Sequence, residues 1–262
     1  MEALLAGAEP LFLVGAARSG TTILAKILNS HPKILMTDET AVFLALSGLI
    51  EKSREGVSAG LWYGKTYNVL WADFLQEKAR DLVLGFYERV AREQGRQDLA
   101  FWGDKHPHYC NCLEFIYHCF PNARFIRLIR DPRDVATSIA EMNQWSLEEG
   151  IRATAIFLDE YESFFLGHRG LPVFELKYED MVRNYTETTG KLLAWLGLGM
   201  APEVANFISE NAGRNAHTAM TEDVPIRNFA TSVQRWRKVF DSTHEMLAME
   251  IFGRYLERYG YL

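Results

Sequence analysis

Short apolar runs alternate along the chain with longer segments whose apolar positions recur every three or four residues. The runs Leu11–Gly15, Ile34–Thr37, Phe101–Asp104, Phe125–Ile129 and Val173–Leu176 predict strands. Between them Ile23, Leu24, Ile27 and Leu28 repeat at helical spacing, as do the segments Val69–Arg92, Pro132–Met142 and Ile151–Phe165, and a last helix is expected over Ser242–Tyr259. This alternation predicts an α/β fold in a single domain, with a mostly parallel central sheet flanked by helices and a P-loop-like strand-loop-helix at the N-terminus. No internal repeat or low-complexity tract interrupts it. The least regular segments, Glu51–Tyr67 and Glu210–Val233, are long enough to act as lids or binding loops.

Composition narrows the function classes. A chain of 262 residues with 48% hydrophobic and 24% charged positions supports one sizeable core, so residues 1–262 are expected to form one domain. The net charge of −6 removes the electrostatic footprint of a general nucleic-acid binder, and any basic residues that matter must be locally concentrated. No stretch approaches the ~18 apolar residues of a membrane span, and the N-terminus lacks the basic segment of a signal peptide, so a cytoplasmic protein is expected. Cys110, Cys112 and Cys119 are odd in number and bunched with His106, His108 and His118 in "HPHYCNCLEFIYHCF". Those spacings are not those of a zinc ribbon or finger, and a partly buried helix with reduced thiols and no metal is expected.

Candidate chemistry begins at "LFLVGAARSGTTILAKILNS", Leu11 to Ser30. An apolar strand, a Gly-containing turn and an amphipathic helix place the backbone amides of Ser19, Gly20, Thr21 and Thr22 at a helix N-terminus, which favours an anion. Arg18 adds charge, and the hydroxyls of Ser19, Thr21 and Thr22 can donate to phosphate oxygens. A triphosphate loop of the form G-x-x-x-x-G-K-S/T needs Lys after its second Gly, whereas Gly20 is followed by Thr21. A kinase or ATPase is disfavoured by that difference. A second basic element lies in "RFIRLIRDPRDVATSIAEM", where Arg130 emerges at the end of a buried strand and Asp131–Pro132 open a helix. Ser138 follows eight residues later, and it converges with Arg130 only if the chain bends sharply at Asp131–Pro132. Together the two elements point to a ligand with two phosphate-like ends.

"GAARSGTTIL" and "RLIRDPRDVATSI" resemble the two cofactor motifs of sulfotransferases that use 3′-phosphoadenosine 5′-phosphosulfate (PAPS), in the same order and about 110 residues apart. The resemblance implies that the first motif holds the 5′-phosphosulfate and the second the 3′-phosphate, with PAPS as donor co-substrate and no metal requirement. It also accounts for the missing lysine, since the donor has no γ-phosphate. In "FWGDKHP", Lys105 is similar in placement to a lysine of tyrosylprotein-type and related bacterial sulfotransferases, which implies a role in stabilising the leaving phosphate. In "HPKILMTDETAVF", the Glu before Thr resembles the tyrosylprotein-type catalytic base, and by position this is Glu39, with His106 or His108 in reserve. "ELKYEDMV" and "TSVQRWRK" are similar to later family segments, and bring in Tyr178 toward the adenine and Ser232 and Arg235 toward phosphate.

Several features separate this chain from the better-known branches. The Gly-rich K-G-x-x-G motif of the cytosolic steroid and phenol group is absent, and Ala41 stands where the tyrosylprotein pattern carries Arg. A small-molecule hydroxyl acceptor, whether phenol, sugar or natural product, is therefore expected, with Phe43, Leu46, Trp62, Tyr63, Tyr67, Trp71 and Trp145 as pocket walls. Alternatives are a P-loop phosphotransferase with degenerate motifs, which would need ATP and Mg²⁺, a non-catalytic nucleotide sensor, and an oligomeric structural domain without ligand.

Overall fold

The computed structural model describes residues 4–55, 64–211 and 232–262. Its centre is β1 (Glu9–Val14), whose Leu11, Phe12, Leu13 and Val14 are completely buried. Successive side chains of a strand point to opposite faces. Phe12 and Val14 accordingly join one core cluster, with Leu35, Trp102 and Phe125, while Leu11 and Leu13 join another, with Ile34, Phe101 and Ile126. Each such side chain contributes about 1.5–3 kcal/mol on leaving water. A strand apolar on both faces belongs at the centre of a parallel sheet covered on both sides.

The other strands are β2 (Ile34–Asp38), β3 (Phe101–Lys105), β4 (Arg124–Ile129) and β5 (Val173–Lys177). They stand in the order β2-β3-β1-β4-β5, and every neighbouring pair is parallel. The helices in chain order are α1 (Thr21–Asn29), α2 (Val42–Glu55), α3 (Gly64–Glu93), α4 (Leu113–Cys119), α5 (Pro132–Asn143), α6 (Leu147–Gly167), α7 (Tyr178–Arg183), α8 (Tyr185–Trp195), α9 (Pro202–Asn211) and α10 (Ser242–Arg258). α1, α8 and α9 bury their apolar stripes against the Leu11 face, and α2, α3, α4 and α6 against the Phe12 face. The chain leaves β1 toward β2 and leaves β4 toward β5. Connections departing to opposite sides open a crevice between the carboxyl ends of these adjacent strands.

Local chemistry explains where element ends differ from the sequence pattern. α6 starts at Leu147 rather than Ile151 because Ser146 and Glu149 form a reciprocal capping box, each side chain accepting the other's backbone N–H. α8 and α9, not anticipated from periodicity, open after the Asn184 cap and at Pro202. Phe43 is not a pocket wall. It is completely buried, edge-on to Phe12 at 5.1 Å and to Tyr109 at 5.6 Å, and belongs to the core. Leu46 packs partly buried against the same cluster, while Tyr67, Trp71 and Trp145 are exposed. Trp62 and Tyr63 lie outside the described residues, as do residues 56–63 and 212–231 of the irregular segments Glu51–Tyr67 and Glu210–Val233.

Cys110, Cys112 and Cys119 are free and buried, and burial pushes their thiols up to about 12, about 12 and about 11. Among the described residues no group of His, Cys, Asp and Glu is arranged to hold a metal ion, and no helix is long and apolar enough to cross a membrane.

Gly103 is where β3 and β1 approach most closely. A Cβ built there would lie 1.8 Å from the carbonyl oxygen of Leu11, a backbone atom that cannot rotate away. Gly103→Ala is therefore expected to destabilise by at least the ~1–3 kcal/mol typical of overpacking, read as a lower urea midpoint; an unchanged midpoint would show that β1 and β3 separate freely.

Candidate active site

The loop after β1 is closed by its own polar groups. Ser19 donates both its backbone N–H (3.1 Å) and its hydroxyl (2.6 Å) to the carbonyl of Ala16. Here Ser19 braces the turn instead of turning its hydroxyl outward. Arg18 sits at φ 66° and Gly20 at φ 95°. Gly20 must be glycine for a second reason, since a Cβ would lie 2.5 Å from the ring of Tyr178. The N-cap residue of α1, Gly20, offers no side chain to cap it, and among the described residues the dipole and first amides of the helix stay available at the crevice. Thr21 is buried there, and Thr22 turns its hydroxyl toward Lys105.

The second element meets this loop directly. Asp131, with φ −49° and ψ 115°, makes the sharp bend at the head of α5 and caps it by accepting the N–H of Arg133. The bend brings Ser138 to Arg18, whose Nε donates to its hydroxyl at 3.1 Å. Arg130 is almost fully buried. It donates to the carbonyls of Arg18 (2.5 Å) and Ser232 (2.7 Å) and lies over the ring of Tyr178 at 4.4 Å. Its Nε is buried without a hydrogen-bond partner among the described residues. An unpaired guanidinium N–H is costly in a protein interior and marks a place for an acceptor. Tyr178 and Ser232 join hydroxyl to hydroxyl at 2.7 Å, and burial pushes the Tyr178 phenol above its usual value, with Arg130 opposing.

Arg235 approaches from the C-terminal side in a 3-10 turn, Arg235–Lys238. Asp134 anchors that turn by accepting the backbone N–H groups of Gln234 (2.7 Å) and Trp236 (2.9 Å). Burial pushes the Asp134 carboxyl above the usual range, against the pull of those amides and of Arg130. The Arg235 side chain pairs with Glu141 of α5. Burial and repulsion from Arg130, with a further contribution from Arg18, hold Arg235 below its ordinary value, although Asp134 opposes. Three guanidiniums thus converge on one space, which an anion would relieve.

Across the loop lies a carboxylate-lysine cluster. Lys105 is 1% exposed, and its Nζ reaches Asp38 at 2.5 Å, Glu39 at 2.6 Å and the Thr22 hydroxyl at 3.2 Å. Glu39 and the Thr22 hydroxyl accept hydrogen bonds from the ammonium, while Asp38 meets it as an ion pair without hydrogen-bond geometry. Asp104 is not the partner of Lys105, because adjacent strand residues face opposite ways. Glu39 is about half exposed and left-handed at φ 57°, and its N–H donates to the carbonyl of Lys105 at 2.8 Å. His106 stands nearby, held below its usual value by burial although Glu39 and Asp104 pull it up, and is therefore neutral at pH 7. His108 is exposed, with its ring 5.3 Å from that of Phe157.

Arg18, Glu39, Ala41 and Gln234 are all left-handed non-glycine residues bordering these clusters. Such conformations cost about 1–3 kcal/mol each and gather where surrounding structure imposes them for function. Sequence reasoning missed the supporting carboxylates Asp104, Asp134 and Glu141. Only the Asp in the first turn of "RDPRDVATS" gave a signal, and it reads equally well as a helix-dipole residue. A larger surface groove along β5 and α8 is lined by charges that pair with each other, Asp180 with Arg183 and Glu187 with Lys191.

A model of the sulfotransferase family matches residues 10–202. An uncharacterized protein of Aquifex aeolicus is 25% identical over 240 residues, 88% of this chain and 30% of that protein. The nodulation protein NoeE of Sinorhizobium fredii is 33% identical over 135 residues, 49% of this chain and 30% of that protein. Human protein-tyrosine sulfotransferase 1 is 25% identical over 134 residues, 47% of this chain and 31% of that protein. The aligned regions thus span about 30% of the length of these relatives. Among solved structures, a mouse sulfotransferase, SULT7A1, complexed with PAP superposes with a TM-score of 0.57 at 16% identity, covering 99% of this chain and 92% of that one. The sulfotransferase domain from the curacin biosynthetic pathway gives 0.56 at 16% identity, covering 93% and 97%. Both carry the fold seen here. The family match runs through both anion-facing loops, Glu39, Lys105 and Tyr178, and the chain belongs to the sulfotransferase family.

Proposed function

We propose that this protein transfers the sulfuryl group of PAPS to a hydroxyl of a small-molecule acceptor, and that it does so in the cytoplasm without a metal. The observation that carries the donor assignment is the buried Nε of Arg130, without a hydrogen-bond partner among the described residues, in a crevice that it shares with Arg18 and Arg235. On this reading the 5′-phosphosulfate lies at the N-terminus of α1 against Arg18, Gly20, Thr21 and Thr22. The 3′-phosphate lies between Arg130, Ser138 and Arg235, and the adenine lies near Tyr178 and Ser232. Ser19 supports the loop from behind. The PAP bound to the mouse neighbour is consistent with this donor.

Chemistry follows from the second cluster. The acceptor hydroxyl approaches the sulfur in line, Glu39 takes its proton, a new oxygen–sulfur bond forms, and the bond from sulfur to the bridging phosphate oxygen breaks. Negative charge then collects on the departing 5′-phosphate of adenosine 3′,5′-bisphosphate, where Arg18 and Lys105 are placed to stabilise it. Because Lys105 already donates to Glu39 and Thr22 and pairs with Asp38, it reaches the leaving oxygen by loosening one of these contacts. Releasing Glu39 would free the base for the acceptor. Ala41, in place of the arginine of the tyrosylprotein pattern, supports an acceptor other than an acidic peptide.

Two measurements test this reading. Isothermal titration with adenosine 3′,5′-bisphosphate in EDTA is expected to give a Kd near or below about 1 μM, or about −8 kcal/mol, and Arg130→Ala should weaken it well over tenfold. Absence of binding by the wild type, or equal binding by both, contradicts the donor site. In transfer from PAPS to a panel of simple phenols and sugars, Glu39→Gln is expected to lower kcat by about 10²–10⁴ with little change in nucleotide affinity. Loss of that size from His106→Asn, with Glu39→Gln near wild type, would move the base to the imidazole.

A further inference from the structure

Asp104 is completely buried beneath the Glu39 turn, and the proposed reaction gives it no task. Its Oδ1 accepts the Thr37 hydroxyl at 2.8 Å. Its Oδ2 accepts the Thr40 hydroxyl at 2.7 Å, the Thr40 backbone N–H at 3.2 Å and the phenol of Tyr109. Every group facing the carboxylate is a donor in this arrangement. Tyr87 closes the cluster, 3.5 Å from the Thr40 hydroxyl, and burial together with Asp104 holds its phenol well above the ordinary value. The two residues flanking Thr40, Glu39 at φ 57° and Ala41 at φ 55°, are both left-handed without being glycine. A turn of that kind holds its shape only when something outside it fixes the backbone.

Neighbouring residues of β3 supply that force from two sides. Lys105 holds the Glu39 side chain through Nζ and its backbone N–H through the carbonyl, while Asp104 holds the next peptide through Thr40. We infer that Asp104 is a positioning residue that aims the Glu39 carboxylate by fixing the strained Glu39–Ala41 turn through Thr40. This rests on Glu39 being the base. An amide at position 104 is a poorer substitute: its NH₂ can meet the Thr37 hydroxyl, which has the Gly103 carbonyl as a second acceptor, but the single neutral oxygen left toward Thr40 and Tyr109 loses the charge that strengthens those bonds. The Thr40 hydroxyl is the link that can be cut, with its contact to Tyr87, while Thr37, Tyr109 and the Thr40 backbone N–H still donate to Asp104.

The test uses the full chain, following adenosine 3′,5′-bisphosphate formed from PAPS with unsubstituted phenol, which is un-ionised near neutral pH, as probe acceptor and, in its absence, with water. Asp104→Asn and Thr40→Val are each expected to lower kcat at least tenfold while the Kd for adenosine 3′,5′-bisphosphate stays within about twofold, and Thr40→Ser should restore the rate. Should Asp104→Asn fail to fold, Thr40→Val carries the test alone, its thermal unfolding compared with that of the wild type. In a Glu39→Gln background neither change should lower the residual rate further, as expected of residues that act as one unit. Wild-type kcat in Thr40→Val, a parallel loss of nucleotide affinity, or an equal further loss in the Glu39→Gln background would overturn the inference. Full activity of Glu39→Gln itself would instead sink the base assignment, and Asp104's proposed role with it.

Discussion

Because β4 pairs in parallel with β1, Leu11–Val14 against Arg124–Arg127, the loops that follow the two strands leave the sheet on the same edge and meet there. Arg130 makes that meeting specific by donating to the carbonyl of Arg18, across 112 residues of sequence. The pairing itself is held by side chains buried on both faces of β1, so the crevice inherits the rigidity of the core. Strained backbone at Arg18, Glu39, Ala41 and Gln234 is tolerable only on such a frame.

Charge is divided within the crevice. On the β4 side Arg18, Arg130 and Arg235 gather around buried Asp134 and Glu141, and on the proposed reading the phosphates of the nucleotide lie among these guanidiniums. On the β3 side the balance is reversed, with Lys105 between Asp38 and Glu39. Thr22 stands between the two, since it belongs to the anion-facing helix yet receives a bond from Lys105. On the proposed reading, donor occupancy and the state of Glu39 are coupled through this single ammonium. The same division accounts for the absence of any need for a metal in the proposed reaction, because cations are already placed where charge develops.

Much of the fold was legible because all five strands contain short, mostly apolar runs between helix-period segments, the most continuous of them in the fully buried central strand β1. The sulfotransferase family and both anion-facing loops were legible for a different reason, since their glycine, hydroxyl and arginine positions are local in sequence. What failed was whatever depends on contacts across elements. Phe43 reads as a pocket aromatic until Phe12 and Tyr109 are seen against it. Asp104 beside Lys105 reads as a surface ion pair, although the two-residue period of a strand already separates them. α8 and α9 were hidden because their apolar stripes are short and their starting signals, Asn184 and Pro202, are equally at home in turns.

The account stands on two anchors gripping the two ends of one nucleotide. Its most direct test compares the wild-type affinity for adenosine 3′,5′-bisphosphate with that for adenosine 5′-monophosphate, titrated in the same buffer without metal. Loss of the 3′-phosphate removes the partner of Arg130 and Ser138, and the monophosphate is expected to bind at least about 100-fold more weakly, about 2.7 kcal/mol. Equal affinities would contradict the account, because the buried guanidinium of Arg130 would then not be where the ligand ends.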